Sequence, residues 1–522
     1  MTPARQDYTP GLGDRMDAVS YTIGMGWLGS ETGLGVATTY EQALQIQRKV
    51  ANITNGAHQV AYAIRQDVLR WGSSPYLIED TAAPMGDGTP GSGYARYRKY
   101  VEDSFANNAD VAQILEPLLA GRMREDHASP EEKIPLSCFT HEEDGQKKIG
   151  WRGGDEYWYL LSLYNLYESG YAQKAWRRMQ DTWNFRTHLY YDAMIPVPEG
   201  HYNNPNRTER YGGKITDTEM EWDAVQRETR WSWENYAISS GQEYIHPKYK
   251  GLSVYFSVPY GVITDGDYLN TWGNSVMICT RGDEEMNLVW GSEICGAEDG
   301  EDSFQFNGNR QPWGAFVKRL MEHNLQYLYM LERKPLSWTN DGKIHQVVFS
   351  GGLVSTYDKE TKHYTLIENG DFVIADGGDR FIPQVGAGCK IYAYSRDGGT
   401  RAWKLPGTWA GIGEIDRYEL SADAAPHRID TLIVKDGAVT LDMRAGTPYL
   451  LVPKGDTPTP TTANFNDLAA GDALGTYMGI DFGLPGNPVF RVYGSNARGG
   501  FGSPSIYADT SDTSAVMRIG ME

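Results

Sequence analysis

The sequence predicts an α/β protein, a (β/α)8-type barrel followed by an antiparallel β-sandwich. Three observations carry this. Up to about residue 330, segments of helical period alternate with short apolar runs, the pattern of strands joined by crossover helices. From Pro335 to Pro453 the chain changes to period-two runs separated by Asn-Gly, Asp-Gly and Gly-Gly turns. At 522 residues it is also too long for one ordinary core. The expected domains are a barrel over 1–330, a sandwich over 335–455, and a linker with a partial β module over 456–522.

Taken in order, 1–40 is Gly-rich and irregular, with a strand around Ala18–Ile23. TTYEQALQIQRKVANITNG reads as a helix capped by Thr39 and stopped by Asn55-Gly56. HQVAYAIRQD is a strand ending in Gln66 and Asp67, and the long Gly/Pro/Ser-rich stretch from Trp71 to Tyr94 reads as a functional loop. A helix is expected around Asn108–Arg124, then a short strand, IPLSCFTHEED, ending in His141 and three acidic residues. DEYWYLLSLYNLYESGYAQKAWRRMQ reads as one long helical stretch and THLYYDAMIPVP as a strand, since Pro196 and Pro198 forbid a continuing helix. Residues 217–240 carry a helix stopped by Gly241. LSVYFSVPYG is a strand followed by Asp265 and Asp267, and WGAFVKRLMEHNLQYLYML closes the barrel half as a helix. GDTPTPTT reads as a linker.

Composition narrows the chemistry. A formal charge of −20 without any basic run excludes phosphate-driven nucleic-acid binding. Cys138, Cys279, Cys295 and Cys389 are scattered without ligand spacing, so neither a zinc site nor a disulfide framework is expected. His141 is too isolated from other His or Cys to hold a metal. No cofactor is expected beyond a structural calcium, for which DGGD at 376–379 offers oxygen ligands without a complete calcium loop. The 34 Tyr and 15 Trp suit sugar stacking, although most aromatics fill cores. No apolar run is long enough to span a bilayer, and MTPARQDYTPGLGD lacks the regions of a signal peptide. The chain is therefore read either as cytoplasmic or as part of a longer or exported, extracellular or cell-surface, protein.

Asp192 follows Leu189, Tyr190 and Tyr191 at a strand's carboxyl end, where barrels assemble their chemistry. An Asp there also serves simply to cap a turn.

With these segments placed, the chain resembles the endo-alpha-N-acetylgalactosaminidases, glycoside hydrolases that remove mucin-type O-glycans. TTYEQALQIQRKVANITNGAHQVAYAIRQD is similar to the family's helix and first barrel strand, LSCFTHEED to its next strand, THLYYDAMIPVP to the strand ending in its catalytic Asp, and WAGIGEIDRYELSADAAPHRIDTLIVKDGAVTLDMRAGTPYLLVP to its following β domain. The resemblance covers roughly 15–455 and implies a retaining hydrolase acting on a glycan or glycoprotein. It puts Asp192 in the nucleophile's place and Glu243 in the acid/base's. The family's pattern places its Glu four residues after that acidic position, where this chain has Pro247, so Glu219, Glu221 and Glu234 stand as alternatives. Gln66, Asp67, Trp71, His141, Asp265 (or Asp267) and Trp272 are the expected sugar contacts. Hydrolysis through an oxocarbenium-like state needs one carboxylate at C1 and one carboxylic acid at the leaving oxygen, which is why this pair matters. Two other readings compete, a non-catalytic carbohydrate-binding barrel, favoured by Pro247, and a structural virion or assembly protein.

Overall fold

The computed structural model describes residues 19–25, 36–64, 92–115, 118–121, 133–153, 156–183, 188–191, 194, 211–236, 238–242, 248, 252, 255–258, 264–266, 276–280, 284–291, 313–331, 333–383, 389–456, 458, 476–477, 480–481, 489–493 and 505–509.

β1 (Val19–Gly24) is buried throughout and pairs in parallel with β2 (Gln59–Ile64). Between them runs α1 (Tyr40–Thr54). Its start is fixed by a capping box, Thr39 accepting from the Gln42 amide while Gln42 returns a bond to the Thr39 amide. Its end is fixed by Asn55 in the left-handed region. After α2 (Ser92–Ser104) comes β3 (Ala109–Leu115), paired in parallel with β2. An excursion follows, a small antiparallel sheet of β4 (Leu119–Gly121), β5 (Ile149–Gly153) and β6 (Glu156–Leu160), in the order β4-β6-β5. Helices α3 (Leu163–Glu168) and α4 (Tyr171–Trp183) then lead to β7 (His188–Tyr191), which pairs with β3. Next come α5 (Thr218–Tyr236), β8 (Ser239–Gln242), β9 (Tyr255–Val258), β10 (Val276–Thr280) and α6 (Glu284–Val289). The seven parallel strands are ordered β1-β2-β3-β7-β8-β9-β10. Along the sheet their order never reverses.

Several sequence expectations are corrected. Asn108–Arg124 is not a helix. Asn108 turns the chain with φ 54° and the next seven residues form β3, flanked on both sides by parallel neighbours that override helix propensity. The helix of that passage is α2 instead. IPLSCFTHEED supplies no strand to the parallel sheet. Leu136–Cys138 is a 3₁₀ turn, Phe139 bridges Leu161, and His141 bridges Lys147. The long helical stretch after it breaks into β6, α3 and α4, with Gly170 at φ 75° between the two helices. Gly241 lies inside β8 rather than stopping α5.

The last helical run comprises α7 (Trp313–Arg319), a π-helical turn (Leu320–Asn324) and α8 (Leu325–Leu331). Past it the chain is antiparallel: β11 (Pro335–Asn340), β12 (Ile344–Phe349), β13 (Leu353–Asp358), β14 (His363–Glu368), β15 (Phe372–Asp376), β16 (Asp379–Pro383), β17 (Ile391–Ser395), β18 (Gly399–Lys404), β19 (Glu414–Ser421), β20 (Ala424–Ile433), β21 (Ala438–Met443) and β22 (Tyr449–Pro453). Alternate residues of β12 are buried, as period two requires, and the Asn369-Gly370 and Asp436-Gly437 turns take the positive φ values of tight hairpins. Hydrogen bonding forms one ten-stranded sheet, β11-β12-β13-β14-β15-β16-β17-β22-β19-β20, plus a ribbon β18-β21, instead of two comparable sheets. The ribbon covers the sheet where Trp403 stacks on Phe381, centroids 5.0 Å apart and planes 8° apart.

The antiparallel sheet is bolted to the helices. Tyr392 donates to the Thr54 carbonyl (2.6 Å), Gln326 to the Tyr364 hydroxyl (2.7 Å), and Arg333 to Glu368 (2.7 Å). Among the described residues no helix is long and apolar enough to cross a membrane.

Candidate active site

The carboxyl ends of the central strands are in register. Leu115 of β3 pairs with Tyr191 of β7, and Tyr191 pairs with Gln242 of β8. The next residues along the chain are Glu116, Asp192 and Glu243. All three lie outside the described residues, as do Gln66, Asp67, Trp71, Asp267 and Trp272. Glu116 is a candidate that sequence reading missed, because its strand was read as a helix. The signal was there. Pro117 follows it, and a residue before proline favours extended backbone.

Leu189, Tyr191 and Met194 are buried, and Tyr191 meets Trp176 of α4 edge-on at 6.3 Å. The Trp176 indole donates to Glu228 of α5 (3.0 Å), whose other oxygen, Oε2, has no partner among the described residues. Burial pushes the Glu228 carboxyl up to about 7, opposed by the Trp176 hydrogen bond.

The alternative acids are engaged elsewhere. Glu221 is fully buried and accepts from the hydroxyls of Ser162 (2.7 Å) and Thr216 (2.6 Å) and from the Tyr164 amide (3.1 Å). It thus caps α3, and although burial raises its pKa, these bonds hold the rise back. Glu219 pairs with Lys248 at the surface, and Glu234 is exposed.

His141 is nearly inaccessible, and neither ring nitrogen has a hydrogen-bond partner among the described residues. The ring stacks on Tyr211 at 4.5 Å. Burial, then nearby Lys147, lowers its pKa and favours the neutral imidazole. The acidic residues after it form an exposed turn in which the Glu142 carbonyl accepts from Gly145 and Asp144 accepts from the Gln146 amide.

Asp265 is held by three side chains. Oδ1 accepts from the Trp290 indole (2.7 Å) and lies 2.6 Å from Nε2 of His345, while Oδ2 accepts from Asn340 (3.0 Å). Burial raises its pKa, but bonds from Asn340 and Trp290 and the nearby His345 outweigh that and lower it. Nδ1 of His345 meets Glu285 at 2.8 Å. Asp265 thus ties the segment after β9 to β11 and β12. The DGGD carboxylates expected to suit calcium are likewise occupied: Asp376 and Asp379 both bind Arg401, and Asp376 also binds His363 (2.6 Å). Among the described residues no group of three or more His, Cys, Asp or Glu side chains is arranged to hold a metal ion.

No family model matches the chain. In sequence it is 27% identical over 157 residues to a "Putative endo-alpha-N-acetylgalactosaminidase" of Renibacterium salmoninarum, a match covering 28% of this chain and 10% of that protein. Among solved structures, the alpha-N-acetylgalactosaminidase NagBb from Bifidobacterium bifidum, in complex with GalNAc, aligns over 69% of this chain and 59% of its own, at 13% identity and TM-score 0.48. The noncanonic maltogenic alpha-amylase AmyB from Thermotoga neapolitana aligns over 83% and 98%, at 10% identity and TM-score 0.39. The chain thus spans little of the curated relative's length, and its sequence match falls in the family that its own motifs resemble.

Proposed function

We propose that residues 1–330 close into a barrel that hydrolyses alpha-linked N-acetylgalactosamine-type linkages of O-glycans with retention of configuration. The observation that carries this is the register of β7 and β8, which makes Asp192 and Glu243 the next residues after a paired Tyr191 and Gln242. Neighbouring strands run about 4.8 Å apart, close to the carboxyl separation of about 5–5.5 Å that retaining glycosidases use. The engagement of Glu219 and Glu221 elsewhere and the exposure of Glu234 leave Glu243 as the favoured acid, with Glu116 its nearest rival.

In this reading the Asp192 carboxylate attacks C1, the C1–O bond breaks, and Glu243 gives its proton to the leaving oxygen. Glu243 then takes a proton from water, which attacks C1 and frees Asp192. Gln66, Asp67, Trp71 and Trp272 would hold the sugar. The substrate would be an extracellular or cell-surface glycan.

Pro247 favours a second reading, a barrel that binds sugar without cleaving it. Aryl alpha-N-acetylgalactosaminide and a natural O-glycopeptide separate the two. Nitrophenol release that Asp192→Asn abolishes supports hydrolysis, whereas sugar binding without turnover supports the second reading. Glu243→Gln should retain the first step on the aryl glycoside yet lose it on the glycopeptide, and azide should restore the slowed second step. Wild-type behaviour of that variant on the glycopeptide would move the acid to Glu116.

A further inference from the structure

We propose that Trp338, on the first strand of the antiparallel sheet, is the floor of an accessory sugar subsite beside the carboxyl ends of β9 and β10. The proposal rests on the glycosidase reading and extends it to a second domain.

Its position follows from the hydrogen bonds. Glu285 is the second residue of α6, which begins four residues after β10 ends, so it stands at that strand's carboxyl end. Asp265 lies on the segment that follows β9. His345 touches both carboxylates, and Asn340, its partner across the β11–β12 pair, donates to Asp265. The first hairpin of the antiparallel sheet therefore reaches the end of the parallel sheet where the proposed chemistry sits.

Trp338 is two residues from Asn340 on β11, and alternation in a strand puts both side chains on the same face, about 7 Å apart. β11 is an edge strand, and Trp338 keeps 41% of its surface exposed. One flank of the ring is backed by buried Trp290, with centroids 6.5 Å apart. The polar groups along the same row are fixed. Lys359 donates to Asn340 (2.7 Å) and pairs with Glu285 (3.0 Å), and Asn340, Lys359 and Glu285 all retain contact with solvent. A large, immobile aromatic face beside fixed donors and acceptors is what the apolar C–H face and the hydroxyls of a pyranose require.

The ligand class is a sugar residue of the glycan beyond the one cleaved, or one on a neighbouring glycan of the same peptide. The full chain carrying Asp192→Asn would be titrated calorimetrically with free N-acetylgalactosamine and with a peptide bearing several O-glycans. Adding Trp338→Ala should weaken the glycopeptide about ten-fold, leave the monosaccharide and the melting temperature unchanged, and be largely rescued by Trp338→Phe. Unchanged glycopeptide affinity, or an equal loss for both ligands, overturns the subsite while leaving the glycosidase reading standing. Should neither ligand bind the parent protein, the glycosidase reading fails and the subsite with it.

Discussion

The parallel and antiparallel halves of this chain differ in how the described polar side chains are paired. In the antiparallel half several charges are paired: Arg417 grips Asp430 with two bonds (3.0 and 2.7 Å), Arg428 holds Asp416, and Arg401 bridges Asp376 and Asp379. Among its described residues only Arg380 Nε and Trp403 Nε1 are buried side-chain atoms without a hydrogen-bond partner. Among the described residues of the parallel half, both nitrogens of His141, Oε2 of Glu228 and Oε1 of Gln47 have none. Each such atom costs desolvation energy that packing must offset. We propose a division of labour, in which the antiparallel half supplies stability and the parallel half the proposed chemistry.

The largest expected effect tests that division directly. Asp192→Asn should lower turnover by about four orders of magnitude or more without shifting the melting temperature. A melting-temperature drop as severe as that of a core substitution would make Asp192 structural and break the comparison.

The next is on stability. Glu322 is fully buried and held by Arg396, so Arg396→Ala should cost about 3 kcal/mol in urea denaturation, because a buried charge loses its partner. Adding Glu322→Gln should return most of that loss. Failure of the second change to compensate would mean that the arginine acts by packing rather than by charge.

A third prediction concerns the uncompensated half. Glu228 binds its proton more tightly folded, at about 7, than its ordinary value of 4.5 allows once unfolded. The folded state therefore holds more protons between those values, and its advantage, complete below pH 4.5, is lost as pH rises through 7. Glu228→Gln should match wild-type stability at pH 4 and exceed it at pH 8 by up to about 3 kcal/mol. Equal stability of the two proteins at pH 8 would show that the folded site accommodates the charge. The smallest effect is at the margin of the parallel sheet, where Thr39→Ala removes the α1 cap and should cost about 1 kcal/mol, read from the same denaturation curves.

How much of this was legible in sequence depended on whether the deciding forces were local. The α1 capping box, its Asn55-Gly56 stop, and the Asn369-Gly370 and Asp436-Gly437 turns were readable because each is set by a few neighbouring residues and their backbone preferences. Strand β7 was readable for the same reason, with prolines close behind it. The segment ADVAQIL was not. Its apolar spacing fits either a helix or a strand, and only the parallel neighbours Gln59–Ala63 and Leu189–Tyr191 select the strand. That single misreading hid Glu116.

The candidate site divides along the same line. Sequence by itself determined which carboxylates end apolar runs, Asp192 above all, and that the chain changes from helical period to period two near Pro335. Tertiary structure alone decided which carboxylates have other duties: Glu221 caps a helix 57 residues away at the Tyr164 amide, and Asp265 meets His345 across 80 residues. It also set Tyr191 beside Gln242, and with them the chain positions of the proposed pair. The physical reason is that caps and turns are local in the chain, whereas strand register and the partners of a buried charge are fixed by segments that meet only when the sheet is assembled.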